Sequence, residues 1–123
     1  MTLTGFAVGA AALYFFGFGA GFVFRPAFAD QLGLAWVNPA GKTEVRCYYG
    51  AVSWALAGFL GYLLAHHQAT SALTGVFLLA ACVFTMRVIG TTVDRAWREA
   101  YTKTAIPVEA LFVLVTGLIR FLR

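Results

Sequence analysis

Residues 3–24 carry no charged side chain, and the run ends at Arg25-Pro26. About 22 residues at ~1.5 Å rise make a helix roughly 33 Å long, enough to cross a ~30 Å hydrocarbon core. Similar apolar stretches recur at about 43–65, 72–92 and 104–121, so the sequence predicts four membrane spans. Pro26 stops the first by disfavouring helical geometry at Arg25 and supplying no amide hydrogen. The opening residues 1–5 lack a basic region and the apolar run exceeds a signal peptide's core, so the first span is expected to be retained.

Composition excludes the alternatives. Hydrophobic residues make up 61% of the chain and charged residues 11%, where roughly 25% charged is usual for soluble domains. One domain of 123 residues could not bury so much apolar surface. The formal charge of +4 arises in the connections, where basic residues orient membrane proteins and touch anionic headgroups. Membrane lipids, not nucleic acid, are the expected partners.

The predicted fold is all-α, an integral membrane four-helix bundle filling residues 1–123 as a single transmembrane domain. A short interfacial helix is predicted over 26–34 (PAFADQLGL), with Phe28, Leu32 and Leu34 on one side and Asp30 and Gln31 on another. Trp36 is expected at headgroup depth. Asn38, Pro39, Ala40 and Gly41 read as a turn or helix start, with Glu44 in the first turn of the second span, where the macrodipole favours an acid. His66-His67 and residues 68–71 form a tight connection. Residues 94–103 (DRAWREAYTK) form the charged connection, with Trp97 and Tyr101 one helical turn apart as interface anchors. Pro107 falls in the first turn of the fourth span. Gly5 with Gly9, and Gly17 with Gly21, have the small-xxx-small spacing that lets helices approach closely.

Basic residues orient the chain. Arg25, Lys42, Arg46, Arg95, Arg98 and Lys103 belong to the connections after the first and third spans, against Arg120 and Arg123 on the other side. That bias predicts those connections in the cytoplasm and both ends outside.

An up-down-up-down bundle brings the end of span one, the start of span two, the end of span three and the start of span four into one leaflet. Arg25, Glu44, Arg46, Arg87, Asp94 and Glu109 then converge. Arg87 and Glu109 each lie about five residues inside a span, roughly 7 Å from its end. An ionisable group at that depth costs on the order of 2 to 3 kcal/mol, which favours an Arg87–Glu109 pair. Arg87, Gly90 and Asp94 share one helix face; Arg46, Tyr49, Gly50 and Ser53 share another. One reading of this cluster is a ligand site for an anionic or polar headgroup, with arginines as donors and acids holding them. The other is a polar clasp locking four helices together.

Other chemistry is poorly supported. Cys47 and Cys82 form no CxxC motif and are expected as buried thiols acting as small apolar residues. His66 and His67 lie on the side opposite the acids, so no metal site is predicted. No Ser, His and Asp set shares a leaflet, no GxSxG or phosphate-loop pattern occurs, and no Lys lies inside a span to carry a retinal Schiff base. Neither a cofactor nor enzymatic activity is expected.

The run Gly17-Phe18-Gly19 with Phe24-Arg25-Pro26, then Asn38-Pro39-Ala40-Gly41, Glu44, Arg46 and Tyr49-Gly50, then Arg87, Gly90, Asp94 and Glu109, resembles a family of small bacterial four-helix membrane proteins of unknown function, distantly similar to DoxX-like proteins. The resemblance implies a four-span, multi-pass protein of the bacterial inner membrane whose marked positions coincide with the charged cluster, Asn38 joining the candidate ligand-binding residues; the basic bias then makes both ends periplasmic. Two function classes follow. One is a non-enzymatic protein binding a lipid headgroup or amphipathic small molecule, or serving as an accessory subunit of a membrane complex. The other is a transporter or proton-linked component using Arg87 and Glu109. Because four helices packed ~8 to 10 Å apart leave no aqueous lumen, transport would require a homo-oligomer.

Overall fold

The computed structural model describes residues 2–122, and among them regular structure is entirely helical. In chain order there are α1 (Leu3–Phe24), a 3₁₀ helix (Pro26–Leu32), α2 (Pro39–Val45), a π-helical turn (Arg46–Ala51), α3 (Val52–Ala65), α4 (Ala69–Asp94) and α5 (Ala100–Phe121). The segments from α2 to α3 form one rod, so four helices are long and apolar enough to cross a membrane: Leu3–Phe24, Pro39–Ala65, Ala69–Asp94 and Ala100–Phe121. Arg123, counted above in the charge bias, lies outside the described residues.

The residues fall into two compact units, 8–67 and 68–122 with 2–7. In the first unit, α1 gives way at Arg25, whose backbone leaves the helical region (φ −134°, ψ 73°) ahead of Pro26. The predicted short helix is present as a 3₁₀ helix, with Pro26 and Ala29 buried at its i, i+3 spacing. Gly33 ends it with φ 78°, its N–H bonding to the Asp30 carbonyl at 3.1 Å. A residue with a Cβ would be strained there.

The second long helix begins at Pro39, four residues earlier than expected, because Asn38 caps it. The Asn38 Oδ1 accepts the Gly41 N–H at 3.1 Å, with Pro39 in the first helical position. Glu44 therefore sits beyond the first turn, where the macrodipole effect has faded, which corrects the placement expected from sequence. The π turn at Arg46–Ala51 also breaks the α-helical spacing that grouped Arg46, Tyr49, Gly50 and Ser53. Gly50 and Ser53 are buried, whereas Arg46 and Tyr49 are exposed.

Backbone proximity holds this rod against α1. A Cβ on Gly19 would lie 2.7 Å from the Gly50 carbonyl oxygen, and one on Gly50 would lie 2.6 Å from Val23 Cγ2. Neither Gly9 nor Gly17 has an atom within 4 Å of where its Cβ would be, so the close approach to this rod uses Gly19 with Gly50 and not Gly9 or Gly17. Trp54 Nε1 donates to the Phe16 carbonyl at 3.0 Å, and its ring stacks on Phe16.

In the second unit α4 and α5 pack antiparallel. Leu73 and Val76 of α4 and Ala105 and Thr116 of α5 are buried. The Phe77 ring occupies the space beside Gly117, where a Cβ would be 3.0 Å away, and meets Phe121 edge-on. Thr74, Thr92 and Thr116 return their hydroxyls to carbonyls four residues back, which satisfies them inside apolar helices. Helix α4 runs on to Asp94, and Arg95 caps it in the left-handed region (φ 56°), with the Ala96 N–H on the Thr91 carbonyl at 2.9 Å.

Helix α5 starts at Ala100, earlier than predicted. Pro107 is thus an interior residue that leaves the Lys103 carbonyl without its i+4 amide donor. Trp97 stands in the connection and Tyr101 in α5, so the two do not share a helical turn. Lys42 and Lys103, expected in connections, are within helices. Cys47 and Cys82 are exposed, correcting the expectation of buried thiols.

Candidate functional site

The candidate residues divide between the units, with Arg25, Asn38, Glu44, Arg46 and Tyr49 in one and Arg87, Asp94 and Glu109 in the other. In the α4–α5 unit, Arg87 Nε lies 2.5 Å from Glu109 Oε2, and the two side chains are 25% and 23% exposed. Tyr101 offers its ring to the Arg87 guanidinium, 5.2 Å from the centroid, a cation–π contact. One carboxylate and one ring therefore already engage Arg87. Asp94, at the end of α4, is exposed and forms no ion pair among the described residues.

At the other end of the same helix pair, Arg120 Nε donates to Thr74 Oγ1 at 2.6 Å. The sequence places Arg120 only among the charges at the end of the fourth span. A basic residue in the last turn of a helix carries no mark distinguishing a helix-to-helix donor from a snorkelling one.

In the unit of residues 8–67, Arg46 Nε donates to the Val23 carbonyl at 3.2 Å. Val23 is in the last turn of α1, where carbonyls lack intrahelical donors, so Arg46 acts as a cap supplied from another helix. Tyr49 keeps its ring 5.3 Å from Phe22 and its carbonyl on the Ser53 hydroxyl at 2.8 Å.

Arg25 is arranged differently. It lines an open cleft of about 370 Å³ together with Phe28, Gln31, Trp36 and Lys42. Among the described residues no carboxylate pairs with Arg25 or Lys42. The Lys42 ammonium lies 6.0 Å from the Trp36 ring centroid. Trp36 in turn lies over Gly41, where a Cβ would be 2.7 Å from the Trp36 Cβ. A second cleft, about 500 Å³, adjoins Trp36 as well and is lined by Asn38, Glu44, Tyr48 and Tyr49. Lys42, Gln31 and Tyr48 are not among the candidate ligand-binding residues that the sequence suggests. What joins them is the return of the chain through Gly33, which periodicity within one helix does not encode.

Three donors and a wide aromatic wall thus face an open space directly after a helix of membrane-spanning length. Arginine binds phosphate oxygens through two parallel N–H bonds, lysine as a point charge. Compared with protein-family models, with functionally characterised proteins and with solved structures, the chain shows no significant match.

Proposed function

We propose that this is a non-enzymatic multi-pass membrane protein that holds the phosphate-bearing headgroup of a membrane lipid in the cleft of Arg25, Gln31, Trp36 and Lys42. The observation that carries the reading is the convergence of two cations without a carboxylate partner on one open cleft beside the end of α1. Trp at such a position suits the interface, with its ring toward the acyl boundary and its N–H toward the headgroup. Arg46 and the Arg87–Glu109 pair have protein partners and serve in this reading as a cap and a clasp.

The resemblance of the Asn38-Pro39-Ala40-Gly41, Glu44 and Arg46 signature to small bacterial four-helix membrane proteins supports a bacterial inner-membrane location. The bias of Arg25, Lys42, Arg46, Arg95, Arg98 and Lys103 supports both ends on the periplasmic side, which reporter fusions at each end and between α4 and α5 test.

The binding test is native mass spectrometry of the purified chain with phosphatidylglycerol against diacylglycerol of the same acyl chains. The phospholipid should be retained preferentially, and Arg25→Gln with Lys42→Gln should abolish the preference. Equal retention of the two lipids by the parent protein would sink the reading.

A further inference from the structure

The cleft that holds Arg25 and Lys42 shares Trp36 with a second cleft of opposite character. Glu44 and Asn38 are among its lining residues, the Asn38 Oδ1 being taken by the Gly41 N–H, and two further aromatic residues, Tyr48 and Tyr49, contribute to its wall. Glu44 is exposed and pairs with no cation among the described residues. Tyr48 is 67% exposed, so its ring is open to a ligand. Lys42 and Glu44 are two residues apart on α2, about 200° around the axis, and accordingly each lines a different cleft. The two sides of one short helix therefore present a cation to one space and an anion to the next.

An acid beside aromatic faces is the combination that receives an organic ammonium, by charge and by cation–π attraction. We infer that the bound headgroup is zwitterionic: its phosphate faces Arg25 and Lys42, and its ammonium faces Glu44, Trp36, Tyr48 and Tyr49. This inference rests on the headgroup reading above and adds to it the class of lipid, one whose phosphate and terminal ammonium are joined by a short bridge that passes Trp36. A purely anionic headgroup would meet the Glu44 carboxylate with no charge to offset it. Gly41 supports the arrangement, because any side chain there displaces Trp36, the wall common to both clefts.

The test uses the full chain in detergent and native mass spectrometry, with phosphatidylethanolamine, phosphatidylglycerol and diacylglycerol of matched acyl chains in pairwise competition. Phosphatidylethanolamine should be retained at least about threefold over phosphatidylglycerol, the scale of one cation–π contact. Glu44→Gln and, separately, Tyr48→Leu should bring that ratio to near one while leaving the preference for phosphatidylglycerol over diacylglycerol intact. Equal retention of the two phospholipids by the parent, both still ahead of diacylglycerol, overturns the zwitterion inference and leaves the headgroup reading standing. Loss of any preference over diacylglycerol overturns the headgroup reading itself. Displacement of the lipid by an equal concentration of soluble phosphoethanolamine would overturn the assignment to a bilayer lipid in favour of a free zwitterion.

Discussion

The α4–α5 pair and the helices of residues 8–67 solve one problem by different means. Inside a bilayer the lipid is as apolar as the helices, so burial alone gives little drive for two spans to associate. Helices α4 and α5 carry polar contacts near both ends, Arg87 with Glu109 and Arg120 with Thr74, separated by about 20 Å along α4. The other unit brings backbones together at Gly19 and Gly50 and adds the Trp54 indole on the Phe16 carbonyl. The difference teaches which charges are free. In the α4–α5 pair the two arginines within the helices, Arg87 and Arg120, are engaged by protein; in the other unit Arg46 caps α1, while Arg25 and Lys42 are left to face a cleft.

The comparison breaks most readily at Arg87 and Glu109. Removing one partner leaves the other charge uncompensated, at about 3 to 5 kcal/mol for a fully buried pair. With roughly a quarter of each side chain exposed, a loss of about 2 to 4 kcal/mol is expected for Arg87→Met or Glu109→Leu alone. The double variant should regain more than half of the loss, since it buries no orphan charge. Thermal unfolding in detergent reads all three proteins, and single variants as stable as the parent would dismiss the clasp.

The glycine crossing should respond next. Gly19→Ala drives a methyl group against the Gly50 carbonyl and the Trp54 ring, an overpacking worth about 1 to 3 kcal/mol. Gly17→Ala meets open space and should leave stability unchanged or raise it by up to about 1 kcal/mol through helix propensity. Equal effects at the two glycines would move the crossing from where it is described.

Smaller losses, about 1 kcal/mol each, are expected for Thr74→Val and Trp54→Phe, which remove one cross-helix hydrogen bond apiece. The pair measures directly whether the two units depend on single hydrogen bonds to the same degree. The smallest effect belongs to Arg25→Gln with Lys42→Gln. Stability should stay within about 0.5 kcal/mol of the parent, while phospholipid retention is lost. A double variant that unfolds instead would show these cations to be structural, and the contrast between the units would disappear.

The sequence by itself determined the four long apolar helices, because each is fixed by its own length and lack of charge, whatever its neighbours do. It also pointed to the Arg87 and Glu109 contact, since two ionisable groups at equal depth in consecutive helices have few other partners. Helix starts were legible only to within a few residues: Asn38, Gln68 and Glu99 begin helices earlier than hydropathy does, because polar first turns are invisible to an apolar count. Which glycine makes the crossing was not legible at all. Gly17 and Gly19 are chemically identical, and only the side of α1 facing Gly50 separates them. The same holds for the arginines. Arg25 and Arg46 have one side chain in common, and the tertiary structure alone gives Arg46 the Val23 carbonyl and Arg25 an open cleft. A partner from another part of the chain is a fact of packing, and no local pattern carries it.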